Sequence, residues 1–164
     1  MSRLFSTLIL LLIVFPQTEV NAMEQKEKAF TVHPIGQVQK SEDRTLIVLD
    51  EEYQAGLLGL DEWSHVQVIW WFDKNDTPQK RAILQVHPRG DRNNPLTGVF
   101  ACRAPVRPNL IALSLCKIVS VKDNVVEVEN IDAFDGTPVL DLKPFAPGLD
   151  SAKGFKVPDW TRNR

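Results

Sequence analysis

Four arginines, Arg89, Arg92, Arg103 and Arg107, fall within the 23 residues HPRGDRNNPLTGVFACRAPVRPN that run from His87 to Asn109. A guanidinium is a planar fork of N–H donors that stays charged at physiological pH and grips carboxylates or phosphates through paired hydrogen bonds. Four of them around one short apolar run can converge on an anionic ligand, or can form a solvated, salt-bridged rim. A second polar cluster follows in IDAFDGTPVLDLKPF, where Asp132, Asp135, Thr137, Asp141 and Lys143 surround the Gly136 turn and the strand after it. Residues two apart on a strand share a face, so Asp141 and Lys143 stand side by side. If that face meets the arginines, its carboxylates stay ionised and accept hydrogen bonds only. If not, it is an exposed ladder of charge.

Other chemistries find less support. His33, His65 and His87 have no metal-ligand spacing, and Cys102 and Cys116 are not in a C-x-x-C arrangement, so no metal site is expected. Ser64 and His65 are adjacent, which in a strand sends their side chains to opposite faces and argues against a nucleophile–base pair. There is no G-x-G-x-x-G and no P-loop, which excludes a Rossmann-type methyltransferase and a nucleoside triphosphatase. A formal net charge of -2 offers no bulk attraction to a polyanion, so any nucleic-acid contact must come from a local basic patch.

These residues must be positioned by strands. The chain has 164 residues, 43% of them hydrophobic, enough for one core and not for two. The first 22 stand apart: Arg3, the apolar run from Leu4 to Phe15, and Val20-Asn21-Ala22 follow the order of a signal peptide cleaved after Ala22, and the run is too short to span a bilayer. An exported protein without stable membrane association after cleavage is expected, or a cytoplasmic one if Met23 is the true start. Residues 23–164 then form a single domain with a core at about 30–146 and a surface tail at 147–164, which Trp160 pins down. Within the core, apolar residues recur with period two between Pro, Gly, Asn and Asp, the mark of half-buried strands. Strands are expected at 30–32 with 36–39, 45–49, 66–72, 83–86, 98–101, 111–121, 125–128 and 138–142, with Asp123-Asn124 as a hairpin turn. Such strands give an all-β or β-dominated fold, best closed as a small barrel. One short helix is expected over 51–57, capped by Asp50 and ended by Gly59. In the pair Trp70-Trp71 one ring belongs to the core and the other covers a face. The strands flanking 104–109 are expected to be neighbours, which leaves Cys102 and Cys116 unbonded to each other.

The succession HPIG, leucine-glycine-leucine before an aromatic-Ser-His strand, HPRG, FACRAPVRPN and DAFDGTPVLDLKPF resembles the TsaA-like (TrmO) family of S-adenosylmethionine-dependent tRNA methyltransferases, over about residues 30–146. The resemblance implies a compact β-barrel, a homodimer, S-adenosylmethionine as cofactor, and methylation of the exocyclic nitrogen of a threonylcarbamoyl-modified adenosine in tRNA. It implies cofactor-binding roles for Arg89, Arg103, Arg107, Pro108, Asn109, Thr137 and Lys143, and catalytic roles for Asp135 and Asp141. The chain departs from the family pattern at Cys102 (threonine), Ala104 (serine), Leu110 (proline), Ala112 (glycine) and Phe145 (tyrosine). The alternative is a secreted, non-catalytic module that binds S-adenosylmethionine or another small anionic or nucleoside ligand.

Overall fold

The computed structural model describes residues 29–162, so the leader at 1–22 lies outside the described residues. A compact unit begins at His33. Ahead of it, residues 29–32 have no regular secondary structure, and the strand expected at 30–32 does not form. The segment runs straight into His33-Pro34, and proline has no N–H to give a ladder.

Eight strands follow: β1 (Gly36–Lys40), β2 (Thr45–Leu49), β3 (His65–Trp71), β4 (Gln85–Val86), β5 (Thr97–Gly98), β6 (Ile111–Lys122), β7 (Val125–Glu129) and β8 (Pro138–Pro144). Six close into an antiparallel barrel in the order β1-β2-β7-β6-β3-β8, as the alternating apolar pattern requires. Val66, Val68 and Trp70 of β3 point inward, as do Ala112, Ser114 and Cys116 of β6, with Val38, Ile47, Val126 and Val139 completing the core. Each buried Val or Ile stabilises the fold by about 1.5–3 kcal/mol. Trp70 is the core ring of its pair: its Nε1 donates to Ser114 Oγ at 3.0 Å, which satisfies both polar atoms inside the barrel. The hairpin forms at Asp123-Asn124, with Lys122 opposite Val125 and Asp123 in the left-handed region at φ 53°. Gly36 of HPIG is required by packing, because a Cβ there would lie 2.6 Å from Leu49 Cα on β2.

Three expectations need correction. The helix over 51–57 forms as a 3₁₀ helix, Glu51–Leu57, without a side-chain bond from Asp50, and Gly59 turns the chain at φ 81° into a second 3₁₀ turn, Leu60–Glu62. It is also not alone. Short α-helices form at Pro78–Arg81 and Pro147–Asp150, the first capped by Thr77, whose Oγ1 accepts from Lys80 N at 3.2 Å. Four residues are too few to show helical periodicity, and Thr77-Pro78 is the whole signal. Finally, β5 does not neighbour β6. It pairs with β4 in a separate ribbon, Gln85 opposite Gly98 and Val86 opposite Thr97, and the chain leaves the ribbon through the 3₁₀ turn Val99–Ala101. The proline-rich run 105–108 cannot supply the donors of a ladder.

Candidate functional site

The ribbon and the HPRG loop build one wall of a cleft of about 930 Å³, and the ACRAPV run builds the other. His87, Arg89, Arg92, Cys102, Arg103 and Trp160 are among its lining residues. The loop holds its own shape. His87 Nδ1 lies 2.8 Å from the Asn94 carbonyl, Asn94 Nδ2 donates to the Pro88 carbonyl at 2.9 Å, and Asn93 N donates to Asp91 Oδ1 at 2.9 Å. A carbonyl only accepts, so Nδ1 of His87 donates to it, and in the neutral ring Nε2 is then the nitrogen that can accept. Arg89 adopts φ 62°, ψ 13°, a left-handed conformation that costs a residue with a Cβ about 1–3 kcal/mol and that clusters at functional sites. Opposite, Arg103 donates NH1 to the Leu113 carbonyl at 3.3 Å. That carbonyl is available because residues 111–116 of β6 pair with β3 alone, the β7 ladder starting only at Lys117.

The arginines divide into two roles. Arg89, Arg92 and Arg103 line the cleft. Arg107 instead donates NH2 to the Val99 carbonyl at 3.0 Å, tying the signature turn to the 3₁₀ turn beside β5. Pro108 presents its carbonyl to Arg81 NH1 at 2.9 Å, and Asn109 is exposed just ahead of buried Leu110. Arg81 is itself held by Asp76, Nε to Oδ1 at 2.8 Å, while Trp71 Nε1 donates to Asp76 Oδ2 at 3.1 Å and the guanidinium lies 5.3 Å from the Trp71 ring. The bonds from Arg81 and Trp71 hold the Asp76 carboxyl below the usual range, and the bond to Asp76 raises the Arg81 guanidinium. Trp71 is thus the face-covering ring of its pair, and this brace was not read from the sequence.

The aspartate motif lies elsewhere. Asp135 Oδ1 accepts from Lys40 N at 2.9 Å, and Thr137 is buried with no hydrogen-bond partner for Oγ1 among the described residues. Asp141 and Lys143 do share a face, their charges 2.7 Å apart, and the ion pair raises the Lys143 ammonium. A bulge sets that face: Ile69 pairs with Asp141 but Trp70 with Val139, so Leu140 is the extra residue and Asp141 turns outward beside Lys143. None of Asp135, Thr137, Asp141 or Lys143 lines the arginine cleft. Asp141 and Leu113, whose carbonyl holds Arg103, both pair with Ile69 from opposite sides, which separates their backbones by two strand spacings, about 10 Å. Opposite charges therefore flank β3 without meeting.

Ser64 and His65 do meet, with Oγ and Nδ1 2.9 Å apart. Ser64 precedes β3, so strand alternation does not separate them. Neither lines the cleft; the His65 ring packs edge-on against Phe145, centroids 6.4 Å apart. Both cysteines are free thiols, and burial pushes the Cys116 thiol up to about 11. Among the described residues, no three His, Cys, Asp or Glu side chains are placed to hold a metal ion.

The model of the tRNA-methyltransferase O N-terminal domain matches residues 22–151. The chain belongs to this family. It is similar to a probable S-adenosyl-L-methionine-binding protein of Methanocaldococcus jannaschii, 45% identical over 124 residues, which span 76% of this chain and 98% of that one. It is also similar to the tRNA (adenine(37)-N6)-methyltransferase of Mus musculus, 43% identical over 104 residues, covering 63% of this chain but only 23% of the mouse protein. The crystal structure of TrmO from P. aeruginosa superimposes with a TM-score of 0.63 at 27% identity, covering 81% of this chain and 62% of that chain. The cleft of this TrmO-family domain draws on the HPRG and FACRAPVRPN motifs, while Trp160 lies beyond the matched region.

Proposed function

We propose that this chain is an S-adenosylmethionine-dependent tRNA methyltransferase domain whose donor binds in the arginine cleft and whose acceptor is an adenine exocyclic nitrogen. The observation that carries this reading is the convergence of Arg89, Arg92 and Arg103 on one cleft of about 930 Å³ in a chain related to a methyl-donor-binding protein and to tRNA methyltransferases. The residues fit the donor: a guanidinium suits its carboxylate, and the apolar wall of Pro105, Val106 and Trp160 suits its adenine. When bound, the donor supplies a methyl group on a positively charged sulfur. The chain's part is to orient and to exclude water, since transfer between aligned atoms needs no covalent enzyme intermediate. The acceptor nitrogen must lose a proton, and His87, which lines the cleft and whose Nδ1 is held by the Asn94 carbonyl, is the base proposed to take it at Nε2. Asp135 and Asp141 are tied to Lys40 N and to the Lys143 ammonium and do not line this cleft. The threonylcarbamoyl-modified adenosine is the acceptor that the family resemblance implies.

We propose further that the domain is a homodimer. Ile111, Leu113, Leu115 and Val119 lie on the outer face of β6, each 42–50% exposed, next to Ile69 and Trp71 of β3, an apolar stripe suited to a second copy. The charged, apolar and small-residue order of residues 1–22 supports export, with the mature chain starting at Met23; the intact mass of native protein tests this. Export favours the second reading, a binding module without turnover, as does the placement of Cys102 and Ala104 in the cleft wall, where the family pattern has hydroxyls. Incubation of the domain with methyl-labelled donor and unfractionated tRNA separates the two. Label in adenosine, lost in Arg103→Ala, supports the methyltransferase; donor binding with no label transferred supports the module.

A further inference from the structure

We propose that Trp160, carried on the C-terminal segment, is the ring-stacking wall of the arginine cleft and selects ligands that carry a purine base. The inference rests on the reading of that cleft as a ligand site, and it concerns a part of the chain that the family match, ending at residue 151, does not include. Trp160 and Thr161 line the cleft together with His87, Arg89 and Arg103, more than fifty residues earlier in the sequence. Trp160 also lines, again with Arg89, an adjoining hollow of about 390 Å³ bordered by Asp91, Asn94 and Asp159. The indole therefore stands with Arg89 where the two spaces adjoin.

The segment that delivers it is otherwise turned to solvent. Leu149 is 89% exposed and Phe155 76% exposed, whereas Trp160 is half-buried. A 3₁₀ turn, Asp159–Thr161, holds the ring: Thr161 donates N and Oγ1 to the Pro158 carbonyl at 3.0 and 2.7 Å, and Arg162 pairs with Asp159 at 3.3 Å. A flat apolar indole beside guanidiniums offers two surfaces on which a base can stack, one by dispersion and one by cation–π attraction. The neighbouring arginines supply charge to an anionic group on the same ligand. The ligand class is thus a purine nucleoside that carries a carboxylate or phosphate, whether the methyl donor itself or a nucleotide of an acceptor RNA.

The test uses the full chain and its Trp160→Ala and Trp160→Phe variants, titrated with S-adenosylhomocysteine, with adenosine monophosphate and with homocysteine, which lacks the base. Removal of one stacking ring should weaken the two purine ligands about tenfold to a hundredfold and leave homocysteine unchanged, and Trp160→Phe should recover most of the loss. Thermal unfolding should not move, because the ring lies outside the barrel core. An affinity within twofold of wild type, a tighter one, or an equal loss for homocysteine would overturn the proposal. Tight S-adenosylhomocysteine binding that ignores Trp160 would sink this inference and leave the donor site standing. Trp160-dependent binding of the monophosphate alone would keep the inference and sink the donor reading, and no binding of either purine would remove both.

Discussion

Arg103 reaches from the cleft wall to the Leu113 carbonyl, and Arg107 turns back to the Val99 carbonyl, although both stand in one short motif. The run from His87 to Asn109 announced four equivalent cations in the sequence. Their division between ligand and scaffold depends on the carbonyls that each can reach, which side-chain type does not encode. The aspartate motif was legible as a face but not in its placement, because a single extra residue, Leu140, decides which way Asp141 turns. The thiols differ in the same way. Cys116 lies in the barrel interior and its thiol is pushed up to about 11 by burial, whereas Cys102 is part-exposed in the cleft. An aromatic disulfide reagent at pH 8 should therefore label one thiol per native chain and two after unfolding; rapid double labelling of the native protein would contradict the burial. Because the folded state holds the Cys116 proton more tightly than the unfolded state does, this thiol's contribution to stability is complete below the ordinary thiol range and is lost as pH rises towards about 11.

The elements that hold the site are of two kinds. Barrel strands were legible because period-two alternation persists over five to twelve residues, as in β6 with its inward Ala112, Ser114 and Cys116. The strands of the β4–β5 ribbon were legible at about their places, 83–86 and 98–101, but not their pairing with each other, and the helix Pro78–Arg81 was not legible at all, since four residues carry no period. That helix nonetheless supplies Arg81, which bonds Asp76 and the Pro108 carbonyl at once. Lysine cannot make both bonds in this geometry, so Arg81→Lys should cost about 0.5–1 kcal/mol of stability, a small figure because the pair is partly exposed. It should also weaken donor binding several-fold by loosening the signature turn, and calorimetry of the variant checks both. The low Asp76 carboxyl fixes the sign with pH: the brace is intact above the usual carboxylate range and fails as pH falls through the depressed value. In the barrel itself, Gly36→Ala would force β1 away from β2 and should lower stability by about 1–3 kcal/mol in denaturant unfolding.

For the whole molecule, the closed barrel is the mount, and residues 111–116 of β6, which pair only with β3, leave the Leu113 carbonyl to Arg103 of the cleft wall. The apolar stripe on the same strand supports the proposed dimer, so the wild-type chain should sediment as a dimer and Leu113→Asp as a monomer; a monomeric wild type would contradict the dimer, and an unchanged dimer would place the interface elsewhere. The fold class followed from alternation alone, but the joining of residues 87–106 with Trp160 across the chain is a tertiary fact that no local pattern contains. Arg89, Arg92 and Arg103 converge on the cleft proposed as the methyl-donor site. Calorimetric titration of the full chain with S-adenosylhomocysteine tests this assignment most directly, with Arg103→Ala beside Lys122→Ala, the latter in the β6–β7 hairpin. Loss of one charged hydrogen-bond partner costs about 1.5–3 kcal/mol, so Arg103→Ala should weaken binding about tenfold to a hundredfold while Lys122→Ala leaves it unchanged. Equal affinity in all three proteins, or no heat from the wild-type chain at millimolar ligand, would contradict it.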